Sequence, residues 1–509
     1  MSRERARRRA HRANAGGTSP VLPLLANPYA PIEILSADQV EAIHEASLRI
    51  LEELGMDIWS DEALDILAAA GAEVDRPGRH VRLDRGLVTE AIAKAPAEFT
   101  LHARNPARNV RMGGNFINFG LVGGPAHATD LDRGRRPGTY ADACDLIRLA
   151  QALDVLHIIG GAPVAPIDLP VATRHLDTAY AVITLTDRVW HASALGRQRV
   201  EDAVAMLAIA HGLDREAVTE SPGLVAVVNA NSPLRYDGAM LDGAIAVVRA
   251  GQGLIVTPFT LAGAMSPVTI AGALAQQNAE ALAGIALAQI VRPGAPVVYG
   301  GFTSNVDMKS GAPAFGTPEY AKAVLAGGQL ARRYRLPYRS SNVNACNVVD
   351  AQAAYESEMS LWATVMGHCN YVLHAAGWLE GGLTASFEKM VVDAEMLRMM
   401  AAFLKPLEVS EETLAFDAMR EVGPGGHFFG AAHTLARYET AFYSPLLSDW
   451  RNFETWEEAG AQTATMRANG IWKAMLAAYQ PPPIDPGIDE ALKDYVARRK
   501  REGGIGEAA

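Results

Sequence analysis

Residues 337–377 read PYRSSNVNACNVVDAQAAYESEMSLWATVMGHCNYVLHAAG. Two strand-like segments, Tyr338–Asn344 and Tyr371–Gly377, begin and end this stretch, and each runs directly into polar or glycine-rich sequence. Between them, Ala351–Gly367 repeats its apolar residues with the period of a helix. A strand, a helix and a second strand in this order predict one unit of a parallel sheet.

The same unit recurs upstream in the chain. Eight apolar segments, rich in β-branched residues or bounded by glycine, alternate with helical patterns. They are Ile117–Gly123, Val155–Gly161, Val189–Ala194, Leu224–Ala230, Leu254–Phe259, Val297–Phe302, Tyr338–Asn344 and Tyr371–Gly377. Most are continuously apolar, as expected for parallel strands buried on both faces. The repeat predicts an α/β fold, a (β/α)8 TIM barrel. A doubly wound sheet is disfavoured because no GxGxxG follows an early strand.

Together with the patterns before and after it, this repeat predicts that the chain has four regions. They are a disordered basic tail at residues 1–30, an N-terminal helical extension at 31–112, the barrel at 113–405, and a C-terminal helical segment and tail at 406–509. Further helical or hairpin patterns occur at Ser36–Leu54, Asp61–Gly71, Asp84–Ala95, Ala97–Met112, Val391–Leu404, Ser410–Val422 and Trp456–Ala478.

Composition and charge narrow the functional class. The chain has 509 residues, is 49% hydrophobic and carries a formal charge of −11, which fits a large globular enzyme and disfavours a nucleic-acid partner. No apolar run reaches the roughly 18 residues that a membrane span needs. Cys144, Cys346 and Cys369 have neither metal-ligand nor disulfide spacing, so we expect a reducing, cytoplasmic location and no bound metal. We also expect a homo-oligomer.

The predicted strand ends carry amides, aromatic rings and few positive charges. Barrel enzymes place their chemistry at these ends. This composition suits a cation, or a zwitterion with a small anionic end, better than a phosphate. Aromatic faces hold quaternary ammonium groups, and we expect a cage of Tyr299, Phe302, Phe315 and Trp378 with Glu380 as the counter-charge. Other candidate substrate-binding residues are His191, Asn229 and Asn342, and candidate catalytic residues are Asn344, His374 and Glu380.

Structural roles also account for several of these residues. A tryptophan or phenylalanine near a strand end is often core, and His374 lies in an apolar strand where a buried, satisfied histidine is equally expected. Gln352 and Glu356 are spaced as an i,i+4 helical pair or face the site. Cys346 has no neighbouring base in sequence, so a buried inert thiol is its default interpretation.

Five ordered motifs resemble one family. They are DAQAAYE at Asp350–Glu356, LEGGLTASFE at Leu379–Glu388, GPGGHF at Gly423–Phe428, HTL at His433–Leu435 and RNFETWEEAG at Arg451–Gly460. They resemble the trimethylamine methyltransferase family over roughly Ile34–Tyr479. The resemblance implies transfer of a methyl group from an amine to a corrinoid (cobalamin) carried by a separate partner protein. It makes Gln352, Glu356 and His427 candidates for contacting that corrinoid.

The resemblance also bears on the substrate. Family members that act on trimethylamine contain pyrrolysine, whereas the corresponding segment here, SSNVNACNVVD at residues 340–350, consists of ordinary residues. Members without pyrrolysine resemble enzymes that demethylate quaternary amines, so glycine betaine is the first candidate donor. Trimethylamine, carnitine and proline betaine are alternatives.

Two alternative functions from other protein classes remain open. A barrel aldolase or lyase would use a Schiff-base lysine at a strand end, and none of the eight segments contains one. A non-catalytic binder of quaternary amines would keep the aromatic cage without transferring a methyl group. A corrinoid-dependent assay separates this binder from an enzyme.

Overall fold

A computed structural model describes residues 24–505 of the chain. Eight parallel strands form a closed barrel, because the last strand pairs with the first (Tyr371 opposite Asn118). The strands are β1 Phe116–Leu121, β2 Ile158–Ile159, β3 Val189–Ala192, β4 Leu224–Val228, β5 Gly253–Val256, β6 Val297–Gly300, β7 Tyr338–Ser341 and β8 Tyr371–Ala376. The predicted TIM barrel and all eight of its strands are confirmed.

One long helix follows each strand. The helices are α1 Tyr140–Ala152, α2 Arg174–Leu185, α3 Arg197–His211, α4 Gly238–Arg249, α5 Ile270–Val291, α6 Pro318–Tyr334, α7 Ala351–Met366 and α8 Phe387–Phe403, with a short helix Arg215–Glu220 after α3. Side chains of Thr139, Asp237, Thr317, Asp350 and Ser386 cap five of them by accepting backbone N–H groups of the first turn. The boundaries therefore follow local capping chemistry.

The interior of the barrel is filled by apolar side chains toward the N-terminal ends of the strands. Ile158, Val189, Val225, Ile255 and Val298 come from five successive strands and pack in its interior. A hairpin of Glu98–Leu101 and Val110–Gly113, near the predicted position, adds Leu101 and Met112 to the same cluster. The interior of the barrel is therefore packed at its N-terminal end.

The N-terminal extension covers the outside of the barrel. Its elements are helices Ala37–Arg49, Asp61–Ala69 and Arg85–Ile92, a π-helical turn Ile50–Leu54, a short turn Pro106–Arg108, and strands Met56–Ile58, Glu73–Asp75 and His80–Arg82, which form a sheet with Arg235–Tyr236. Ser36 and Gln39 form a capping box at the first helix. Ser47 donates to the Ala275 carbonyl of α5 over 2.9 Å. This cover makes nearly all of the alanine-rich helix α5 buried.

Residues 24–30, predicted as part of the disordered tail, are ordered and attached to the barrel. Leu25–Ala26 pairs antiparallel with Phe116–Ile117 of β1. Asn27 is fully buried and donates to the Val365 carbonyl over 2.9 Å. The prediction of a disordered tail is wrong for residues 24–30, because they form hydrogen bonds with the barrel that the sequence pattern does not reveal. Residues 1–23 lie outside the described part of the chain.

Small sheets and C-terminal helices surround the barrel. The remaining strands are His127–Thr129, Arg136–Pro137, Phe259–Ala262, Phe302–Val306, Pro313–Ala314, Trp378–Leu379 and Thr384–Ser386, with a short turn Glu380–Gly382. The remaining helices are Glu411–Leu414, Phe416–Val422, Phe428–Gly430, Ala432–Leu435, Phe453–Glu458, Ala464–Ala477 and Pro486–Arg501.

Two predicted C-terminal helices are each divided in two. The pattern Ser410–Val422 breaks at Ala415, and Trp456–Ala478 breaks at Gly460, where φ is +53° and +98° respectively. The last two helices pack on the barrel: Trp472 Nε1 donates to Glu388 over 2.9 Å. Among residues 24–505 no helix is both long and apolar enough to cross a membrane.

Candidate active site

A cavity of about 670 Å³ opens at the carboxyl ends of the barrel strands. Buried or half-buried polar side chains line it, namely His191, Asn229, Thr257, Arg339 and His374. Exposed residues such as Ser193 and Leu195 lie on its outer side, so the cavity communicates with solvent. It combines a buried polar interior with an accessible mouth.

Four aromatic rings form one wall of the cavity. Phe259 and Phe302 stand opposite each other in two parallel strands above the barrel, with ring centroids 5.2 Å apart. Phe315 lies 5.8 Å from Phe302, and Trp378 lies 6.3 Å from both Phe302 and Phe315. Trp378 Nε1 donates to the Asn344 carbonyl over 3.2 Å, which fixes the indole. The wall offers several ring faces to one ligand.

Arg339 is the unexpected residue of the site. It lies within β7, only 3% exposed, and lines the cavity with its guanidinium carbon 5.4 Å from the centre of the Phe302 ring. Within residues 24–505 no carboxylate pairs with it, and its Nε has no hydrogen-bond partner. Burial lowers the pKa of Arg339, although arginine stays charged in proteins. An unpaired buried guanidinium is costly, and a bound anion would remove that cost.

Two histidines lie beside this guanidinium, and both are neutral. Burial, reinforced by Arg339, lowers the pKa of His191 to about 3 and that of His374 well below its ordinary value. Tyr371 and His191 are hydrogen bonded over 2.7 Å, and His374 Nδ1 accepts the Gly123 amide over 3.3 Å. His374 also packs on Trp378 at 4.2 Å between ring centres. These histidines orient neighbours and carry no charge at neutral pH.

The charge balance of the lining is positive. Arg174, Arg199 and Arg339 line the cavity together with one carboxylate, Asp202. Asp202 is already paired with Arg499, at 2.6 Å from Nε to Oδ1, and Arg499 does not line the cavity. The electrostatic potential of the cavity is therefore unfavourable for a bare cation. It is not unfavourable for an anion or a zwitterion.

The structure brings six of the predicted site residues to the cavity. They are His191, Asn229, Phe302, Phe315, His374 and Trp378. Tyr299 is not among them, because alternate residues of β6 face opposite sides. Val298 points into the barrel, whereas the Tyr299 hydroxyl donates to Asn278 of α5 over 2.9 Å. Tyr299 is therefore a core residue and is not part of the predicted aromatic cage.

Asn342 and Asn344 are fully buried behind the cavity lining. Asn342 Nδ2 donates to the Ala375 carbonyl over 3.0 Å and to Asp393 over 3.3 Å. Asn344 Nδ2 donates to the Trp378 carbonyl over 2.8 Å. Asn342 therefore ties the segment after β7 to β8 and α8, whereas Asn344 ties it to the loop that carries Trp378; neither amide lines the cavity.

Glu380 does not supply the predicted counter-charge. Its carboxylate pairs with Arg135 at 2.8 Å, while the next two residues, Gly381 and Gly382, line the cavity. Glu380 has a φ of +53°, so the backbone turns its side chain away to reach Arg135. Arg135 is 245 residues distant in sequence, and the strand-end pattern gives no sign of this pairing.

The three residues proposed for corrinoid contact do not line the cavity. Glu356 accepts the backbone amides of Ala345 and Cys346 at 2.9 and 3.1 Å and is held by Gln352 at 2.8 Å. Gln352 and Glu356 therefore form the i,i+4 helical pair, and Glu356 holds the loop after β7 in place. His427 lies in the exposed C-terminal segment, 6.0 Å from the Phe429 ring.

Sequence reasoning missed Arg339 and Tyr371, which stand opposite each other in β7 and β8. A signal was present: Arg339 is a charged residue inside the predicted strand Tyr338–Asn344 and shares its strand face with Ser341. Both residues lie within their strands, before the strand ends at which functional side chains are expected.

A closed parallel barrel with a buried polar and aromatic cavity at its mouth defines a TIM-barrel enzyme. The family model described as trimethylamine methyltransferase (MTTB) matches residues 1–504, and the chain belongs to this family of methyltransferases.

Two relatives are similar in sequence to most of this chain. The chain is 41% identical to the glycine betaine methyltransferase of Desulfitobacterium hafniense (strain Y51), over 92% of this chain and 98% of that protein. It is 31% identical to the trimethylamine methyltransferase MttB of D. hafniense (strain DSM 10664 / DCB-2), over 92% and 94%. A solved structure, the Methanosarcina barkeri monomethylamine methyltransferase, covers 90% of this chain with a TM-score of 0.49 and 10% identity.

Proposed function

We propose that this enzyme transfers a methyl group from a carboxylated quaternary amine, glycine betaine first, to a corrinoid held by a separate protein. The observation that carries this proposal is the unpaired guanidinium of Arg339 in the same cavity as the aromatic wall. A betaine has an anionic end for the first feature and a trimethylammonium end for the second. The 41% identity to a glycine betaine methyltransferase supports the same substrate.

The anionic end of the donor is assigned to Arg339. A guanidinium binds a carboxylate through two parallel N–H···O bonds, which fixes both position and orientation. The Thr257 hydroxyl lines the same cavity and has no partner for its oxygen, so it is available as a further donor. Trimethylamine has no anionic group and would leave the buried charge of Arg339 uncompensated.

The cationic end is assigned to the rings of Phe259, Phe302, Phe315 and Trp378. A quaternary ammonium offers no N–H group, so ring faces hold it better than acceptors do. The leaving tertiary amine needs no proton, which fits a lining whose histidines are neutral. The tasks of this chain are to bind the donor at both ends, align one N–CH₃ bond with the mouth and exclude water.

The mouth fits a flat cofactor presented by a partner. Gly123, Gly124, Gly160 and Gly161 line the cavity beside Gly381 and Gly382. A Cβ placed at Gly124 would meet no atom within 4 Å, so the backbone there borders open space. When docked, the corrinoid would supply the reduced cobalt that accepts the methyl group. The glycine rim leaves room for that planar group to approach the donor.

The histidine pKa values predict a pH-independent chemical step. With both histidines neutral, kcat at saturating betaine is expected to show no inflection near pH 6.5 between about pH 6 and 8. Stability should behave differently: in the unfolded chain histidine titrates near 6.5, so unfolding takes up protons below that pH and stability falls as pH falls. Parallel measurements of kcat and Tm check both parts. A kcat inflection near 6.5 would contradict the assignment.

Gly382 is predicted to be essential for the aromatic wall. A Cβ there would lie 2.5 Å from the Trp378 ring, and the backbone φ is +97°. We expect Gly382→Ala to displace the indole and raise the Kd for betaine at least tenfold by calorimetry. Gly460→Ala is the matched control, because its φ of +98° adds similar backbone strain without any steric contact and it lies outside the cavity lining. Equal loss in both variants would refute a specific role for the wall.

The function is tested with a panel of donors, a reduced corrinoid protein and this enzyme. Calorimetry reports binding, and the visible spectrum of the corrinoid reports methylation. Glycine betaine, or a larger betaine such as carnitine or proline betaine, should both bind and methylate the corrinoid. Binding without methylation would favour the non-catalytic alternative, and turnover of trimethylamine alone would reject the proposal.

A further inference from the structure

Helix α8 carries a fully buried ion pair beside the turn that leads into Trp378. Lys389 and Asp393 lie one turn apart on α8, and neither side chain is exposed. Lys389 is the only buried lysine among residues 24–505, and lysine is almost never fully buried unless it is paired. Stability alone does not account for this pair, since apolar side chains of similar volume often stabilise an interior equally well.

Asp393 holds the turn between β8 and Trp378. Its Oδ2 accepts the backbone N–H of Gly377 over 2.8 Å, and the Gly377 carbonyl accepts the amide of Ser386, the N-cap of α8, over 3.0 Å. A Cβ at Gly377 would lie 2.9 Å from Met390 Cγ of α8, so the turn lies tightly against the helix. Both polar groups of the backbone just before Trp378 are therefore bonded to α8 or to its cap.

Lys389 is connected to the indole by a second path. Its ammonium donates to Ser357 Oγ of α7 over 2.8 Å. Asn344 Nδ2 donates to the same hydroxyl over 3.4 Å and to the Trp378 carbonyl over 2.8 Å. The Asn344 carbonyl accepts the indole N–H over 3.2 Å. Through Ser357 and Asn344, Lys389 is therefore linked to both the backbone and the ring of Trp378.

We propose that Lys389 and Asp393 are positioning residues that hold the Trp378 indole in the aromatic wall and thereby set the preference of the cavity for a cation. Neither residue lines the cavity, so both act through Trp378. The attraction between a cation and a ring requires the cation to lie over the ring face, and a displaced indole weakens it. This role rests on the proposed function, because the cation is the trimethylammonium group of the donor.

Two neutral double variants separate positioning from stability. Replacing one member of a buried ion pair leaves an uncompensated charge and destabilises the fold, so both members are replaced together. Lys389→Met/Asp393→Leu, the leucine variant, removes the pair and the acceptor for the Gly377 N–H. Lys389→Met/Asp393→Asn, the asparagine variant, also removes both charges but keeps an oxygen that can accept this N–H. The two variants therefore differ at the contact with the turn.

Fluorine NMR of the unliganded full chain, labelled with 5-fluorotryptophan, reports the position of the indole. The chain has seven tryptophans, and Trp378→Phe assigns the Trp378 resonance. This resonance should shift or broaden in the leucine variant and stay close to its wild-type position in the asparagine variant. Trp472, whose ring centre lies 4.9 Å from that of Phe387 on α8, is the internal control and should not move. An unmoved Trp378 resonance in the leucine variant, or equal shifts of Trp378 and Trp472, would overturn the proposal.

Ser357→Ala keeps the ion pair and tests the second path alone. It removes the hydroxyl that joins Lys389 to Asn344, in a helix where alanine is favourable. The Trp378 resonance should shift. Thr364→Val is the matched control and should leave the resonance in place, because the Thr364 hydroxyl is equally buried but donates to the Leu361 carbonyl of its own helix. An unmoved Trp378 resonance in Ser357→Ala would refute the path through Ser357.

Calorimetry measures the preference for a cation. The second ligand is 3,3-dimethylbutanoate, in which a carbon replaces the quaternary nitrogen of glycine betaine. The ratio of its Kd to that of glycine betaine should fall about three- to tenfold in the leucine variant, as expected for a weakened cation–π contact, and less in the asparagine variant. An unchanged ratio beside a shifted Trp378 resonance would refute the role in selectivity. A wild-type protein that does not bind glycine betaine would reject the proposed function, whereas the fluorine spectra test the positioning of Trp378 without a ligand.

Discussion

Replacing Arg339 by methionine is expected to reduce kcat/KM for glycine betaine by roughly 30- to 5,000-fold. Losing one partner of a buried charged pair costs about 2–5 kcal/mol, and each 1.36 kcal/mol is tenfold in rate. The side chain lies in the cavity with no protein carboxylate to satisfy it, so the donor's carboxylate is its natural partner. Steady-state methyl transfer to the corrinoid measures the loss.

The same variant should gain stability. In the unliganded protein Arg339 is a buried charge without a partner, so an apolar side chain of similar length removes a cost. We expect Tm to rise while activity falls, which a purely structural role would not produce. Arg339→Lys is the graded control, because it keeps the charge but loses the two-pronged geometry.

Choline distinguishes the carboxylate contact from a general defect. It has the trimethylammonium group of glycine betaine but no carboxylate, so Arg339→Met should not weaken its binding. An equal loss of affinity for choline and glycine betaine would refute the role assigned to Arg339.

Replacing Trp378 by leucine is expected to weaken betaine binding by roughly 10- to 100-fold. The indole is the ring that joins the aromatic wall to His374, and its loss removes a cation–π contact of about 0.5–2 kcal/mol together with packing area. Trp378→Phe retains a ring face and should lose less. Calorimetry with glycine betaine measures each Kd.

An uncharged analogue isolates the cation–π part of this effect. In 3,3-dimethylbutanoate a carbon replaces the quaternary nitrogen, so the shape and the carboxylate are kept and the positive charge is absent. Wild-type enzyme should prefer glycine betaine over this analogue, and Trp378→Leu should reduce that preference. An unchanged preference would show that the indole contributes shape alone.

The barrel could be predicted from sequence because its signal is repeated. Most β segments are continuously apolar, five of the eight helices have a capping side chain such as Asp350 or Thr317, and the strand–helix alternation recurs eight times. The C-terminal helices lacked such support, and single residues with positive φ, Ala415 and Gly460, divided them. Periodicity describes average burial and does not report a local reversal of the backbone.

The site was predicted in part, for a definable reason. Phe302 and Trp378 come two residues after the ends of β6 and β8, and the topology of a barrel brings all strand ends to one mouth. Tyr299 was misplaced because a strand buried on both faces gives no sign of which residues point inward. Pairings across the fold, such as Glu380 with Arg135, and missing pairings, such as that of Arg339, appear only in three dimensions.

The most direct test of the central claim is single-turnover methylation of the corrinoid protein by glycine betaine, choline and trimethylamine in parallel. Its visible spectrum is the readout. We predict rapid methylation from glycine betaine and at least 30-fold slower methylation from the two donors without a carboxylate. Methylation from choline or trimethylamine as fast as from glycine betaine would contradict an active site built around Arg339.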